Sequence, residues 1–272
     1  MQIQLASLNS GSNGNCYYIG NAAEAVLIDA GLSCRETEKR MRQLELDIKK
    51  VKAIFISHEH KDHISGAGVL SKKYQLPVYI TRKTLRNCWP GIESHLVHSF
   101  TAEEKISMGT LIVTAFAKSH DANDPHSFII QCGGTCIGVF TDIGHACKNV
   151  TRYFRQCHAV FLESNYDANM LANGNYPVHL QKRISGGKGH LSNTQALQLF
   201  CENKWEGLRL LILSHLSENN NTENLVQELF ENHAGDTKIY VASRYSASPV
   251  FSIEATLPRR ENISMIQMRL FG

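Results

Sequence analysis

Apolar runs of strand length recur along the chain, separated by stretches that read as helices or turns. EAVLIDAG and VKAIFISH, the first clear pair, are rich in Val and Ile and close on polar residues, the pattern of buried strands. TLIVTAFAKSH, SFIIQCGGTCIGVFTD, HAVFLESN, LRLLILSH and KIYVASR continue the series. Cys-Gly-Gly-Thr within the second of these predicts a hairpin, with Cys132 and Cys136 facing each other across it. SCRETEKRMRQLEL, between the first pair of strands, reads as a helix with Ser33 as N-cap and Glu36 completing a capping box. SNTQALQLFCEN opens with Ser192 and Gln195 at the same spacing, and TENLVQELFENHAG ends at Gly235, a C-cap candidate. Residues 165–189, rich in Asn and Gly, predict an excursion over the surface rather than a linker between domains.

Five of the strand-like runs end in a residue capable of chemistry: His58, His120, Asp142, Glu163 and His215. A buried strand that stops at such a group delivers it to a sheet edge, where groups from several strands can meet. This recurrence is the main reason to expect a single site.

Bulk properties narrow the class without selecting a partner. The chain has 272 residues, 43% of them hydrophobic and 19% charged, with a formal net charge of +3. These are the values of an ordinary globular protein, and the charge neither demands nor excludes a polyanionic partner. The opening MQIQLASLNSGSNG lacks the charged-then-apolar plan of a signal peptide, and no apolar run reaches the roughly 20 residues of a membrane span. Eight scattered cysteines form no CxxC pair, so reduced thiols and a cytoplasmic location are expected, with no membrane partner.

SHEHKDH concentrates the candidate chemistry. His58, His60, Asp62 and His63 make the pattern H-x-H-x-D-H on a strand-to-loop turn, and packing offers no reason for that spacing. A lone histidine is ordinarily a hydrogen-bonded or solvated side chain; four such residues in six positions call for a metal. Imidazole and carboxylate suit Zn²⁺ and also Mn²⁺ and Fe²⁺. Two divalent ions are expected, the first held by His58, His60 and His120, the second by Asp62, His63 and His215. Asp142, at a strand end in VFTDIG, would bridge them.

Here the sequence resembles the metallo-β-lactamase superfamily over nearly its whole length. LIDAG with Asp29, SHEHKDH, KSHD, FTDIG and ILSHLS look like the five motifs of that superfamily in order. LNSGSNGNCYYI, HEHKDHISG, LESNYD and GHLSN together resemble the YycJ/WalJ group, bacterial single-domain metallo-hydrolases linked to DNA processing. The resemblance implies an α/β fold, a four-layer αββα sandwich of two mixed sheets flanked by helices, forming one domain over residues 1–272. The site would lie at one edge of the sheets.

Two metals flanking a bridging water lower its pKa and stabilise charge during phosphoryl displacement. Asp62 would be both ligand and proton acceptor. His190 in GKGHLSN resembles the extra histidine of phosphodiesterase members such as ribonuclease Z and PhnP, and would protonate the leaving oxygen. Glu163 is expected to orient His190 or touch the metal shell, and Asp29 to hold backbone amides of the histidine loop. For substrate contacts the candidates are Lys182, Arg183 and Lys188, Asn193 at the start of the capped helix, and Arg244 after the last clear strand. The expected activity is hydrolysis of a nucleic-acid phosphodiester, DNA before RNA and 5′-to-3′ exonuclease-like. A small-molecule or cyclic phosphodiesterase is the alternative; thioester or lactam hydrolysis and a non-catalytic metal-loaded scaffold are further behind.

Overall fold

Strands covered on both faces are apolar at nearly every position, and that accounts for the composition of the runs above. The computed structural model describes residues 2–88 and 90–254; the expected domain span of 1–272 extends beyond them. A first sheet contains β1 (Gln2–Asn9), β2 (Cys16–Gly20), β3 (Ala25–Ile28), β4 (Val51–Phe55), β5 (Val78–Tyr79) and β6 (Val97–His98). The second contains β7 (Lys105–Met108), β8 (Leu111–Ala117), β9 (His126–Cys132), β10 (Thr135–Phe140), β11 (Ala159–Glu163), β12 (Leu210–Ser214) and β13 (Lys238–Val241). A last strand, β14 (Phe251–Glu254), returns to pair antiparallel with β1 at the edge of the first sheet. Both sheets are mixed: β1, β2 and β3 run antiparallel before β3 to β6 run parallel, and β7 to β10 run antiparallel before β10 to β13 run parallel.

The two sheets share an inner core in which Leu5, Tyr17, Val26, Ile28 and Phe55 meet Phe128, Val139, Phe161 and Ile212. Tyr17 and Phe161, one from each sheet, approach to 4.9 Å between ring centroids. Alternate residues face outward. Leu27 and Ile54 pack under α1 (Cys34–Gln43) and α3 (Ala67–Tyr74), each followed in the chain by a short helix, α2 (Lys61–Ile64) and α4 (Arg82–Arg86). On the far side, Val160 and Leu211 pack under α5 (Lys148–Phe154), α8 (Asn193–Asn203) and α9 (Glu223–Glu231). The layers are therefore helix, sheet, sheet, helix, as expected.

Local details depart from the sequence reading in four places. Residues 165–189 run largely exposed over the surface, but they also contain α6 (Ala168–Asn173), capped by the Asp167 carboxylate, and α7 (Val178–Ser185), entered from Pro177. Cys132 does not face Cys136; Thr135 is its partner, and alternation puts Cys132 in the inner core and Cys136 in the outer one. At Ser33 the hydroxyl accepts from the Glu36 amide, but the Glu36 carboxylate turns to Arg40 at 2.9 Å; the full capping box forms at Ser192 and Gln195. Helix α9 is capped at Asn232, and Gly235 (φ +59°) turns the chain afterwards.

Parallel strands end on the same side, so the carboxyl ends of β3 and β4 and those of β8, β10, β11 and β12 reach one edge of the sandwich. The chain leaves three of them through left-handed residues, Asp29 (φ +61°), Asp142 (φ +53°) and His215 (φ +58°). Such a conformation is uncommon outside glycine and is concentrated at functional positions. It turns each side chain sharply off its strand and into the edge.

The segment after β3 lies directly on the histidine loop. Asn15 N donates to the Asp62 carbonyl (2.6 Å), Gly31 N to the Asn15 carbonyl (2.9 Å) and Ala30 N to the His63 carbonyl (2.8 Å). A Cβ on Gly31 would stand 1.7 Å from the Asp62 carbonyl oxygen. Gly31→Ala is therefore expected to cost about 1–3 kcal/mol in urea unfolding, the range for overpacking, and to weaken metal binding because the displaced backbone belongs to Asp62. Unchanged stability and metal affinity would show that the approach is not tight.

Candidate metal centre

Two groups of donor atoms converge at this edge. His58 Nε2 lies 3.0 Å from His60 Nδ1, which lies 3.4 Å from His120 Nε2. Beside them, His63 Nε2 lies 3.3 Å from Asp62 Oδ2, which lies 3.7 Å from His215 Nε2. Asp142 stands between the groups: Oδ2 is 3.2 Å from His63 Nε2, while Oδ1 is 3.5 Å from His215 Nε2 and 3.8 Å from His120 Nε2. Within each of the sets His58–His60–His120, Asp62–His63–His215 and His58–His63–Asp142 the donor atoms lie within 4.8 Å of one another. The seven residues read as ligands are thus brought together in overlapping sets, a fourth of which joins Asp142 and His215 with Glu163 and His190.

The remaining nitrogens fix the tautomers. Asp29, fully buried, accepts from the Ser57 amide (2.8 Å) and hydroxyl (2.8 Å) and from His63 Nδ1 (2.7 Å). It holds one backbone amide of the loop, as expected, and also orients His63, which the sequence did not reveal. His58 Nδ1 meets the Ser57 hydroxyl at 2.9 Å, and His120 Nδ1 donates to the Gly189 carbonyl at 3.0 Å. Glu163, also fully buried, accepts from His215 Nδ1 (3.0 Å), from His190 Nδ1 (2.8 Å) and from the amides of Ile143 (2.8 Å) and Leu191 (3.1 Å). With Nδ1 engaged as donor, Nε2 of His58, His63, His120 and His215 is the nitrogen left for a ligand. Outer partners of this kind orient metal-binding imidazoles.

The charges are unevenly shared. Burial opposes a charge on His63, but the carboxylates of Asp142, Asp62 and Asp29 outweigh it and hold the ring well above its ordinary pKa. Burial is likewise overcome at His215, which Asp142, Asp62 and Glu163 push up to about 10. His58 and His120 go the other way: burial and nearby cationic groups hold His58 well below the ordinary value and take His120 down to about 4, despite Asp142. Asp62 and Asp142 are held ionised against burial by His63 and His215, and Glu163 is brought down to about 2 by His190 and His215. A compact set of oriented imidazoles and ionised carboxylates is the chemistry of a divalent cation site. Asp142 Oδ2 and His215 Nε2, buried without a hydrogen-bond partner among the described residues, fit a cation between them.

The centre opens into a cavity of ≈ 360 Å³ lined by His60, Asp62, Asp142, His190 and His215 together with Ser12, Lys61, Asp121, Arg183, Ile184 and Gly189. Arg183 reaches it from α7, its Nε 2.6 Å from Asp121 Oδ2. Lys182 and Lys188 are exposed but do not line it. Asn193, expected at the substrate, is 1% exposed and its amide is engaged with Ser164 and Asn221, because it occupies the packed first turn of α8. Arg244 does not line the cavity but is bonded to Ser12 of its wall (3.3 Å). Sequence reasoning missed Asn15, whose amide donates to Asp62 Oδ2 at 3.1 Å. It also missed Lys118, buried beside the centre with its ammonium on the Thr141 carbonyl at 2.7 Å.

With this geometry, comparison with known proteins is decisive for the family. Residues 10–161 match the family model of the metallo-beta-lactamase superfamily. Exodeoxyribonuclease YycJ of Bacillus anthracis is 33% identical over 268 residues, covering 90% of this chain and 100% of that protein. The chain belongs to the metallo-beta-lactamase superfamily, in its YycJ/WalJ-like group. Exodeoxyribonuclease WalJ of Streptococcus pneumoniae is 29% identical over 263 residues, 90% of this chain and 96% of that protein. Among solved structures, the metallo-beta-lactamase fold protein YhfI of Bacillus subtilis superposes with a TM-score of 0.72 at 14% identity, covering 93% of this chain and 100% of that one, a likeness of fold. No helix among the described residues is long and apolar enough to cross a membrane.

The histidine protonation pattern gives a pH dependence for chelator-stripped protein. His63 and His215 have folded pKa values above the unfolded value of about 6.5. Their contribution to stability is complete below that value and is lost as pH rises through the folded values, for His215 through about 10. Thermal melting of the metal-free protein is expected to fall between pH 7 and 10, and His215→Asn to flatten that fall. A melting temperature that rises over this range in both proteins would contradict the assignment.

Proposed function

We propose that the protein is a dinuclear metal-dependent phosphodiesterase that degrades DNA in the manner of a 5′-to-3′ exonuclease. The observation that carries this reading is His190. It lines the same cavity as the two donor groups, is half-sheltered, and has Nδ1 fixed on the buried Glu163 carboxylate at 2.8 Å. Nε2 is left as the nitrogen available to a bound group, where a proton can be delivered to a departing alkoxide. A carboxylate behind an imidazole also stabilises the ring when it carries the proton. The names of the Bacillus anthracis and Streptococcus pneumoniae relatives, both exodeoxyribonucleases, support DNA as the polymer.

His58, His60 and His120 would hold one ion, Asp62, His63 and His215 the other, with Asp142 shared; Zn²⁺, Mn²⁺ and Fe²⁺ all suit these donors. When bound, a pair of divalent cations lowers the pKa of water and neutralises charge on a phosphoryl group. Asp62, ionised and facing the cavity, positions the attacking water by accepting its hydrogen bond. Arg183, tethered to Asp121, supplies positive charge in the cavity wall.

The reading is tested with end-labelled single- and double-stranded DNA, RNA and cyclic nucleotides in Mn²⁺ or Zn²⁺. Stepwise release of nucleotides from the 5′ end of DNA is expected. His190→Ala should lower kcat on DNA by roughly 10²–10⁴-fold, the usual contribution of a general acid. The loss should be far smaller on bis(p-nitrophenyl) phosphate, whose leaving group needs no proton. Rapid turnover of a small cyclic diester with every polymer intact would overturn the nuclease reading. An equal loss on both diester types would remove His190 as the acid.

A further inference from the structure

Two arginines that bracket the segment around Tyr245 differ in how their donors are used. Arg40, buried at 8% exposure, engages every nitrogen: Nε on Glu36 (2.9 Å), Nη1 on the Leu8 carbonyl (2.6 Å) and Asn9 Oδ1 (2.6 Å), and Nη2 on the Tyr245 carbonyl (3.1 Å). That is the behaviour of a structural arginine. Arg244 uses only Nη2, on Ser12 Oγ (3.3 Å) and Glu218 Oε2 (3.4 Å). Its Nε and Nη1 are buried without a hydrogen-bond partner among the described residues, and the side chain as a whole is 11% exposed. Buried donors are normally paired, and a guanidinium is shaped to bind phosphate oxygens.

The next residue is the reverse case. Tyr245 is 67% exposed, and the Arg244 guanidinium lies 5.7 Å from its ring centroid. Its hydroxyl is tied to Glu218 at 3.0 Å, and the Arg244 carbonyl accepts from Asn13 at 2.7 Å. With the Arg40 bond to the Tyr245 carbonyl, the short segment is clamped to the loop that carries Ser12 into the cavity wall. A fixed, open aromatic ring beside a donor-rich cation is the arrangement that binds a nucleotide of single-stranded nucleic acid: the base stacks and the backbone phosphate is neutralised.

We propose that Arg244 and Tyr245 form a nucleotide subsite beside the wall of the metal-centre cavity, Arg244 taking a phosphate next to the scissile one and Tyr245 stacking on its base. The proposal rests on the reading of the centre as a nuclease and adds to it a reason for preferring a polymer over a small diester.

The test compares kcat/KM on a short single-stranded DNA with that on bis(p-nitrophenyl) phosphate, in the metal-loaded full chain. For Arg244→Gln and for Tyr245→Ala the DNA-to-diester ratio should fall about tenfold, mostly through KM, in keeping with the stacking and phosphate contributions known for such contacts. Arg244→Gln should also make the salt dependence of DNA binding shallower by about one unit in slope. Tyr245→Phe, which keeps the ring, should restore most of the ratio. If Arg244→Gln fails to fold, the exposed Tyr245 variants still decide the matter. Wild-type cleavage of DNA with unchanged ratios in the folded variants would sink the subsite alone. Wild-type turnover of the diester with DNA left intact would sink both the subsite and the nuclease reading.

Discussion

Everything at the working edge depends on Glu163, a carboxylate with no solvent exposure at the end of a central strand. It binds the rings of His190 and His215 and the amides of Ile143 and Leu191. Through these bonds one buried charge joins the ends of β10 and β12 to the segment that precedes α8. A buried carboxylate is costly unless its oxygens are fully engaged, and here the partners that satisfy it are the groups whose orientation matters. Asp29 repeats the arrangement on the other sheet with Ser57 and His63. Each sheet therefore carries its own anchoring carboxylate, and the donor groups meet between them.

This explains the division of labour between rigid and exposed parts. The imidazoles that face inward are buried and fixed through Nδ1, except His60, which presents Nδ1 itself. His190 and Asp62 keep partial exposure, with side chains 21% and 20% accessible, as the roles proposed for them require. Left-handed backbone at Asp29, Asp142 and His215 is the local cost of turning three side chains from strand ends into one small volume.

Much of this was legible in the residues, for identifiable reasons. His58, His60, Asp62 and His63 are contiguous, so their spacing is itself a signal, and Asp142 and His215 stand where apolar runs stop. The fold class came with the resemblance to the metallo-β-lactamase superfamily, while the apolar runs showed only that the strands are buried. Contacts that depend on tertiary approach left no such trace: Asn15 belongs to a Gly- and Asn-rich turn, and nothing in that turn announces that it will reach Asp62. The short strand β5, two residues long, lies below what periodicity can detect. For α6 and α7 the starting signals were present in Asp167 and Pro177, but Asn and Gly composition outweighed them. Asn193 sits beside a promising helix start, yet packing of α8 turns its amide away from the cavity and into Ser164 and Asn221.

In the proposed function Asp142 joins two donor groups into one dinuclear centre. This is tested most directly by metal content per chain after chelator-stripped protein is reloaded with Mn²⁺ or Zn²⁺ and passed through a desalting column, for the wild type and for Asp142→Asn. Two ions in the wild type, with both lost together or weakened together in the variant, is the predicted result. A single ion in the wild type, or a variant that retains two ions with wild-type affinity, would contradict it.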